Sequence, residues 1–164
     1  MVFESDGLQI ELPASWDVRV LRRSAHLRAL QAASFALEPD DDELGERSTA
    51  AMAPGESFVG LVEYLPGSGV KGGQAPFNPR RIDLPLDPIR FSARALAHEQ
   101  PGQVGWQQCF TLSGRPFGLY LVIAGSRPDR RHQLPLLDAI LGSLRVAEGG
   151  RAGLSSEPGR KNDA

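Results

Sequence analysis

The glycine-rich stretch at residues 67–73 is the part of the chain where phosphate-binding chemistry would be expected first. A P-loop requires a glycine, four further residues and then Gly-Lys-Ser/Thr at the start of a helix, because its backbone N–H groups cradle the phosphates. Here Lys71 precedes Gly72 and no helical pattern follows, so we predict a flexible loop. Ser68 in this stretch lacks the Gly-x-Ser-x-Gly spacing of a hydrolase nucleophile, so we do not expect it to be catalytic.

The side chains that most often bind metals or form covalent intermediates are few and scattered. His26, His98 and His132 have no spacing typical of metal ligands, and Cys109 is the only cysteine. A single cysteine excludes an intramolecular disulfide and a cysteine-rich metal site. The apolar surroundings of Cys109 predict a buried, unreactive thiol. We therefore expect no cofactor, no metal ion and no catalytic residue.

An acidic run, Asp40-Asp41-Asp42-Glu43, lies in a polar loop predicted for residues 38–57. Counted from Asp40, Gly45 occupies the sixth position of an EF-hand calcium loop, but the twelfth position is Ala51. That position requires a glutamate that binds calcium through both oxygens. We predict a solvated acidic loop, and the alternative is a loop that docks onto a basic partner.

A second long loop, residues 66–88, is rich in glycine and proline and contains Phe77-Asn78-Pro79-Arg80-Arg81. An aromatic residue beside arginines is the composition enriched at the energetic centres of protein interfaces. The alternative is that Phe77 packs beneath the loop and the arginines are solvated. The candidate partner-binding residues of the two loops are Phe77, Arg80, Arg81, Asp41 and Asp42.

Composition excludes several classes of protein. The 164 residues are 41% hydrophobic and 23% charged, with a net charge of -2, which fits one globular domain and disfavours a nucleic-acid-binding protein. No window is apolar enough to span a membrane, and the start of the chain has no signal-peptide pattern. We expect a cytoplasmic protein without membrane insertion, unless a leader or anchor has been removed. The excess of arginine over lysine, with much alanine, glycine and proline, is typical of a GC-rich bacterial genome.

Hydrophobic periodicity indicates the elements that position these residues. Alternating or continuous apolar residues predict strands at residues 8–12, 16–20, 27–37, 58–65, 106–112 and 115–124. For residues 27–37 a short helix is the alternative, and the lack of a clean 3.6-residue period favours the strand. Apolar residues of 89–98 also share one face, and Ser113-Gly114 marks a hairpin. Leucine and isoleucine at helical spacing predict an amphipathic helix over 132–144, with Pro135 tolerated because it lies in the first turn.

These elements predict an α+β fold. We expect an antiparallel sheet of about six to seven strands, with the C-terminal helix packed on one face. A single domain over residues 1–146 is followed by a tail, residues 147–164, that is poor in apolar residues and predicted to be disordered.

Three short patterns carry a family resemblance that spans residues 3–146. The pattern Gly-x-x-x-x-Leu-Pro-x-x-Trp occurs at residues 7–16, an aromatic hairpin arm at 114–120, and Ser-Leu-Arg-Val at 143–146, where the closing helix ends. This order resembles the PsbP extrinsic proteins of photosystem II and the Ran-binding Mog proteins, with DcrB-like and LpqN-type bacterial relatives. The resemblance implies a PsbP/Mog-like fold and a role as a binder, adaptor, assembly factor or secretion chaperone.

The absence of a catalytic motif and the two long loops favour a non-enzymatic protein-binding module, an adaptor or chaperone of a bacterial multi-protein assembly or secretion system. If this is right, reversing the charges of Arg80 and Arg81 should weaken partner binding without lowering the melting temperature. The alternative is a small-ligand-binding protein or enzyme with a pocket between sheet and helix. For that pocket the candidate residues are His98, Glu99, Trp106 and Tyr120.

Overall fold

The computed structural model describes residues 1–147. The strands are β1 (Val2–Ser5), β2 (Leu8–Glu11), β3 (Asp17–Ser24), β4 (Leu27–Ala33), β5 (Ser57–Tyr64), β6 (Gln103–Leu112), β7 (Arg115–Ala124) and β8 (Arg145–Val146). The α-helices are α1 (Glu46–Ala50) and α2 (Arg127–Gly142), and short 3₁₀ helices cover Pro88–Arg90 and Ala93–Ala95. The predicted α+β class is confirmed. Within the described residues, no helix has the length and apolar character needed to cross a membrane.

The strands form two antiparallel sheets. The larger sheet has the order β3-β4-β5-β7-β6, and the smaller one the order β1-β2-β8. The prediction of one sheet is therefore wrong, because β2 pairs with β1 and β8 instead of β3. The hairpin predicted at Ser113-Gly114 is confirmed: both residues have positive φ angles, 50° and 77°, and they join β6 to β7.

Each face of the larger sheet packs against a different part of the chain. The main core lies between one face, the helix α2 and the smaller sheet, and includes Leu61, Phe117 and Leu137. The opposite face carries Phe58 and Tyr120 and is covered by the segment before β5 and by Leu96. Burial of both faces explains why β5 is almost continuously apolar.

Helix α2 begins at Arg127, five residues before the predicted start. Ser126 and Asp129 form a capping box, in which the Ser126 side chain accepts from the Asp129 N–H and the Asp129 side chain accepts from the Ser126 N–H. Pro135 consequently lies in the middle of the helix and not in its first turn, so that prediction is wrong. The missing N–H of Pro135 leaves the Arg131 carbonyl without its helical hydrogen bond.

Three further segments differ from the sequence reading. The first four residues after Met1 form β1, which sequence reading missed, and the strand predicted over 27–37 ends at Ala33. The alternating residues of 89–98 lie in and around the two 3₁₀ helices. The tail predicted to be disordered lies outside the described residues, except for Ala147.

A buried ion-pair cluster joins the two sheets. Glu63 on β5 accepts hydrogen bonds from Arg115 Nε and Nη2 at 2.6 and 2.7 Å, and Arg28 contacts the same carboxylate. Both arginines also reach the β1–β2 turn, since Arg28 Nη1 lies 2.5 Å from Asp6 Oδ2 and Arg115 Nη1 donates to the Asp6 carbonyl. The side chains of Glu63 and Arg115 are only 5% and 8% exposed.

The protonation of Glu63 is controlled by these arginines. Burial alone would raise the pKa of the Glu63 carboxyl, but the hydrogen bonds from Arg115 and Arg28 outweigh burial and hold the pKa below its ordinary value. Glu63 is therefore ionised at neutral pH and neutralises one of two guanidinium groups, with Asp6 beside the other.

We expect Glu63→Gln to lower the free energy of unfolding at pH 7 by about 3–5 kcal/mol, because it leaves buried guanidinium groups without their countercharge. Urea unfolding measures the change. The control is Asp83→Asn, which removes the exposed ion pair between Asp83 and Arg90 and should cost less than about 1 kcal/mol. Equal losses in the two variants would contradict a structural role for the cluster.

The pH dependence of stability gives a second readout of the same variant. The pKa of Glu63 in the folded protein lies below its ordinary value of 4.5. The stabilisation that ionised Glu63 gives to the folded state is therefore complete above pH 4.5 and is lost as the pH falls through the folded pKa. The wild-type protein should therefore lose more stability than Glu63→Gln on acidification below pH 4.5.

Candidate functional site

Residues 81–91, here called the strap, run beside α2 along most of its length. Leu86 is buried, and its N–H donates to Asp138 Oδ1 at 2.7 Å. Leu84 lies near Gly142 at the carboxyl end of α2, while Ile89 lies opposite its amino-terminal half. The strap thus leaves two grooves, one at each end of its contact with the helix.

The arginine groove lies between the amino-terminal half of α2 and the start of the 3₁₀ helix in the strap. It encloses about 380 Å³ and is lined by Pro88, Ile89, Phe91, Val104, Ile123, Arg127, Arg130, Arg131 and Leu134. Its apolar lining comes from the sheet, the strap and Leu134. Its arginines occupy neighbouring turns of α2, because residues three and four apart share one side of a helix.

Over residues 1–147, neighbouring carboxylates leave the positive charge of the arginine groove unneutralised. Among residues 1–147, none of Arg127, Arg130 and Arg131 lies within ion-pair distance of a carboxylate. Asp129, the nearest acidic residue in the helix, accepts from the Ser126 N–H and hydroxyl. The groove therefore combines three positive charges with an apolar floor, although the whole chain has a net charge of -2.

Ile89 stands at the rim of the arginine groove and is 88% exposed, the largest exposed fraction among the large hydrophobic side chains of the described chain. It lies in the first turn of a 3₁₀ helix, whose start is fixed because the Asp87 side chain accepts from the Ile89 N–H at 3.0 Å. An apolar side chain held in water by a defined turn is available for contact with another molecule.

The second groove, here called the strap groove, lies at the carboxyl end of α2. It encloses about 430 Å³ and is lined by Arg81, Ile82, Asp83, Leu84, Phe110, Leu112, Leu141, Gly142, Leu144 and Arg145. Asp83 pairs with Arg90 at 3.3 Å, and Arg145 donates to the carbonyls of Gly142 and Leu144. This groove has the same combination of apolar floor and arginines, with one acidic side chain in its wall.

The structure gives the five predicted partner-binding residues different surroundings. Arg80 and Arg81 are exposed, and Arg81 lines the strap groove. Phe77 is buried and packs edge to face on Tyr64, with ring centres 5.3 Å apart. The burial of Phe77 and the exposure of both arginines agree with the alternative, in which Phe77 packs beneath the loop and the arginines are solvated.

Asp41 and Asp42 organise the turn that leads into α1. Asp41 is buried and accepts from the Ser48 N–H and hydroxyl at 2.8 and 2.6 Å, and from the Arg47 N–H. Burial would raise the pKa of Asp41, but these hydrogen bonds outweigh it and lower the pKa. One oxygen of Asp42 accepts from two backbone N–H groups, so both carboxylates have internal partners. Their turn packs over the sheet face opposite to α2, away from Arg80 and Arg81.

The four residues suggested for a pocket between sheet and helix do not converge. Trp106 belongs to the core on the α2 side of the larger sheet, whereas Tyr120 lies on the other face and accepts from the Ala97 N–H. Burial raises the pKa of the Tyr120 hydroxyl. His98 and Glu99 are exposed beside this second face. The cavities that the structure shows between sheet and helix are lined by other residues.

Within the described chain, one group of side chains has the types and spacing to hold a metal ion. Asp42, Glu46 and His98 each offer a ligand atom, and these atoms lie within 4.8 Å of one another. His98 Nδ1 lies 3.5 Å from Glu46 Oε1. Sequence spacing could not find this group, because His98 approaches the other two only through the fold.

Cys109 is partly buried, and burial raises the pKa of its thiol.

The arginine groove was not predicted because the apolar periodicity indicated a helix start at residue 132, which put all three arginines before the helix. The signal that finds them is Ser126-x-x-Asp129, a capping box just before an apolar periodic run. Starting α2 at Arg127 places Arg127, Arg131 and Leu134 on one side of it.

Comparison with known proteins gave no match: neither a protein-family model, nor a curated protein, nor a solved structure is similar to this chain.

Proposed function

We propose that this protein is a non-enzymatic binding module, an adaptor or chaperone, that holds an acidic segment of a partner protein in the arginine groove. The observation that carries the proposal is the set of three arginines without an ion-pair partner in the described chain, placed around an apolar floor. The resemblance to PsbP and Mog proteins implies the same class of function.

The lining of the groove favours binding over catalysis. General acid–base and nucleophilic chemistry use histidine, carboxylate, cysteine, serine or lysine side chains poised beside the reacting atoms. The lining residues of the arginine groove are arginine, proline, valine, isoleucine, leucine and phenylalanine. Arginine stays protonated at any physiological pH, so it can recognise an anion and orient it but cannot readily exchange a proton.

An acidic protein segment fits this lining better than a nucleic acid does. Arginine binds carboxylates through two parallel N–H···O bonds, and arginine is enriched where single residues dominate interface affinity. The apolar floor and the exposed Ile89 supply contacts for an aliphatic side chain next to the acidic ones. Nucleic acids require a wide basic surface for their phosphates, and the net charge of -2 disfavours one.

The test of this proposal is a charge reversal in the groove. The probe is the peptide Asp-Asp-Leu-Asp-Asp, and its binding is followed through the backbone amide NMR signals of the labelled full chain. We expect the amide signals of residues 129–134 to shift and the double variant Arg127→Glu/Arg131→Glu to bind at least tenfold more weakly, a loss of about 1.4 kcal/mol. Both arginines are exposed, so the melting temperature should stay nearly unchanged.

The matched control is Arg23→Glu/Arg94→Glu, which changes the net charge by the same amount at exposed arginines outside both grooves. It should bind the peptide almost as well as the wild-type protein. Equal weakening in the two double variants would show that binding follows total charge only, and that outcome would refute the groove as the site.

A small anionic ligand in the same groove is the second candidate, and the cavity volume of about 380 Å³ favours it, since ligand pockets run from about 300 Å³ upward. Hexanoate, a carboxylate with a short aliphatic tail, separates the two. If hexanoate shifts the same signals and binds more tightly than the peptide, the module binds small molecules. If hexanoate binds more weakly, the acidic protein segment stands.

A further inference from the structure

We infer that the arginine groove and the strap groove form one binding track, and that its occupant is an extended acidic segment with two apolar side chains six residues apart. This inference rests on the proposed function and adds to it the length and the pattern of the partner segment.

Both grooves open along one side of α2. Arg127, Arg131 and Leu134 line the arginine groove, and Leu141 and Gly142 line the strap groove. Arg127, Arg131, Leu134 and Leu141 follow one another at intervals of four, three and seven residues, which places them in one stripe along the helix, and Gly142 is the next residue after Leu141. A ligand that follows this side of α2 therefore meets both grooves, one on each side of the strap.

The strap crosses the track between the two grooves. There the Leu86 N–H donates to Asp138 Oδ1, and the Leu86 side chain is buried in the main core. The strap and α2 are thus in direct contact at this point. Apolar side chains of a ligand fit at the two ends, where the lining leaves about 380 and 430 Å³.

The distance between the grooves determines the spacing of the apolar side chains. The α2 residues that line the arginine groove centre on residue 130, and those that line the strap groove are Leu141 and Gly142. Twelve residues of α-helix span about 18 Å, at about 1.5 Å per residue. An extended chain covers this distance in about five to six residues, at about 3.3 Å per residue. Side chains an even number of positions apart point to the same side of an extended chain, which selects a spacing of six.

The charges along the track determine where the partner is acidic. Three arginines border one end, and Arg81 and Arg145 border the other, where the acidic Asp83 is paired with Arg90. Between them the carboxylates of Asp87 and Asp138 accept backbone N–H groups of the strap, so the middle of the track is negative. The partner segment should consequently be acidic beside each apolar side chain and uncharged in between.

Two peptides of identical composition test the inference on the full chain. The spaced peptide, Asp-Leu-Asp-Ser-Asn-Ser-Asp-Leu-Asp, has leucines six positions apart and a neutral middle. The compact peptide, Asp-Leu-Asp-Asp-Leu-Asp-Ser-Asn-Ser, has them three positions apart. Fluorescence anisotropy of labelled peptides gives the two affinities, and amide NMR signals show which groove each peptide occupies.

We expect the spaced peptide to bind at least tenfold more tightly and to shift signals of both Leu134 and Leu112, one from each groove. Arg80→Glu/Arg81→Glu should remove this tenfold advantage and leave the affinity for the compact peptide within twofold. Arg127→Glu/Arg131→Glu should weaken both peptides, and Arg23→Glu/Arg94→Glu should weaken neither.

The outcomes distinguish a failure of the two-groove track from a failure of the proposed function. If both peptides bind equally and still depend on Arg127 and Arg131, the two-groove track is refuted and the arginine groove stands as a single site. If neither peptide binds, or binding does not depend on those arginines, the proposed function itself is refuted. An unchanged spaced-peptide affinity in Arg80→Glu/Arg81→Glu also overturns the inference.

Discussion

The carboxylate of Glu63, held between two arginines, is the interaction on which the arrangement of the two sheets depends. Arg28 and Arg115 lie on the strands that flank β5, so antiparallel pairing brings both guanidinium groups to one carboxylate. The same arginines contact the Asp6 turn of the smaller sheet. A buried pair of this kind adds little net stability compared with an apolar core, but a displacement of either sheet that separates these groups leaves buried charges unpaired, which is strongly destabilising.

That arrangement determines where the grooves can form. The smaller sheet and α2 share the same face of the larger sheet, so the position of one restricts the position of the other. The strap fills the remaining surface with Ile82 and Leu86. Because those two side chains are buried and the residues around them are not, the strap is attached to the core at few points and leaves open grooves at both ends of α2.

Periodicity in the sequence predicted those elements in which buried residues recur at the regular spacing of a strand or a helix. The β6–β7 hairpin and the core side chains of α2, such as Leu137 and Ile140, could be found in this way. Strand β1 could not, because its residues are partly or fully exposed and carry no apolar alternation of their own. The start of α2 was misplaced because a run of arginines hides the helical period, which only the capping residues reveal.

The candidate site was beyond sequence reasoning for a different reason. The arginine groove takes its lining from the strap, from β6 and β7, and from α2, and no spacing rule connects these segments before the strands are paired. The Glu63 cluster is hidden in the same way, since Arg28 and Arg115 flank Glu63 only in the observed register. The acidic run at residues 40–43 was conspicuous in the sequence, yet Asp41 and Asp42 serve the local turn.

The pairing of β2 with β8 has a consequence for how the protein is made. Leu8 and Gln9 are paired with Val146 and Arg145, so the smaller sheet joins the two ends of the described chain. Contacts so distant in sequence form late, because the entropy of closing a long loop must be overcome before they contribute. A ribosome releases the amino-terminal strands long before β8. During synthesis β2 therefore has an open edge, and the larger sheet, whose neighbouring strands are mostly close in sequence, can pair before the smaller sheet is complete.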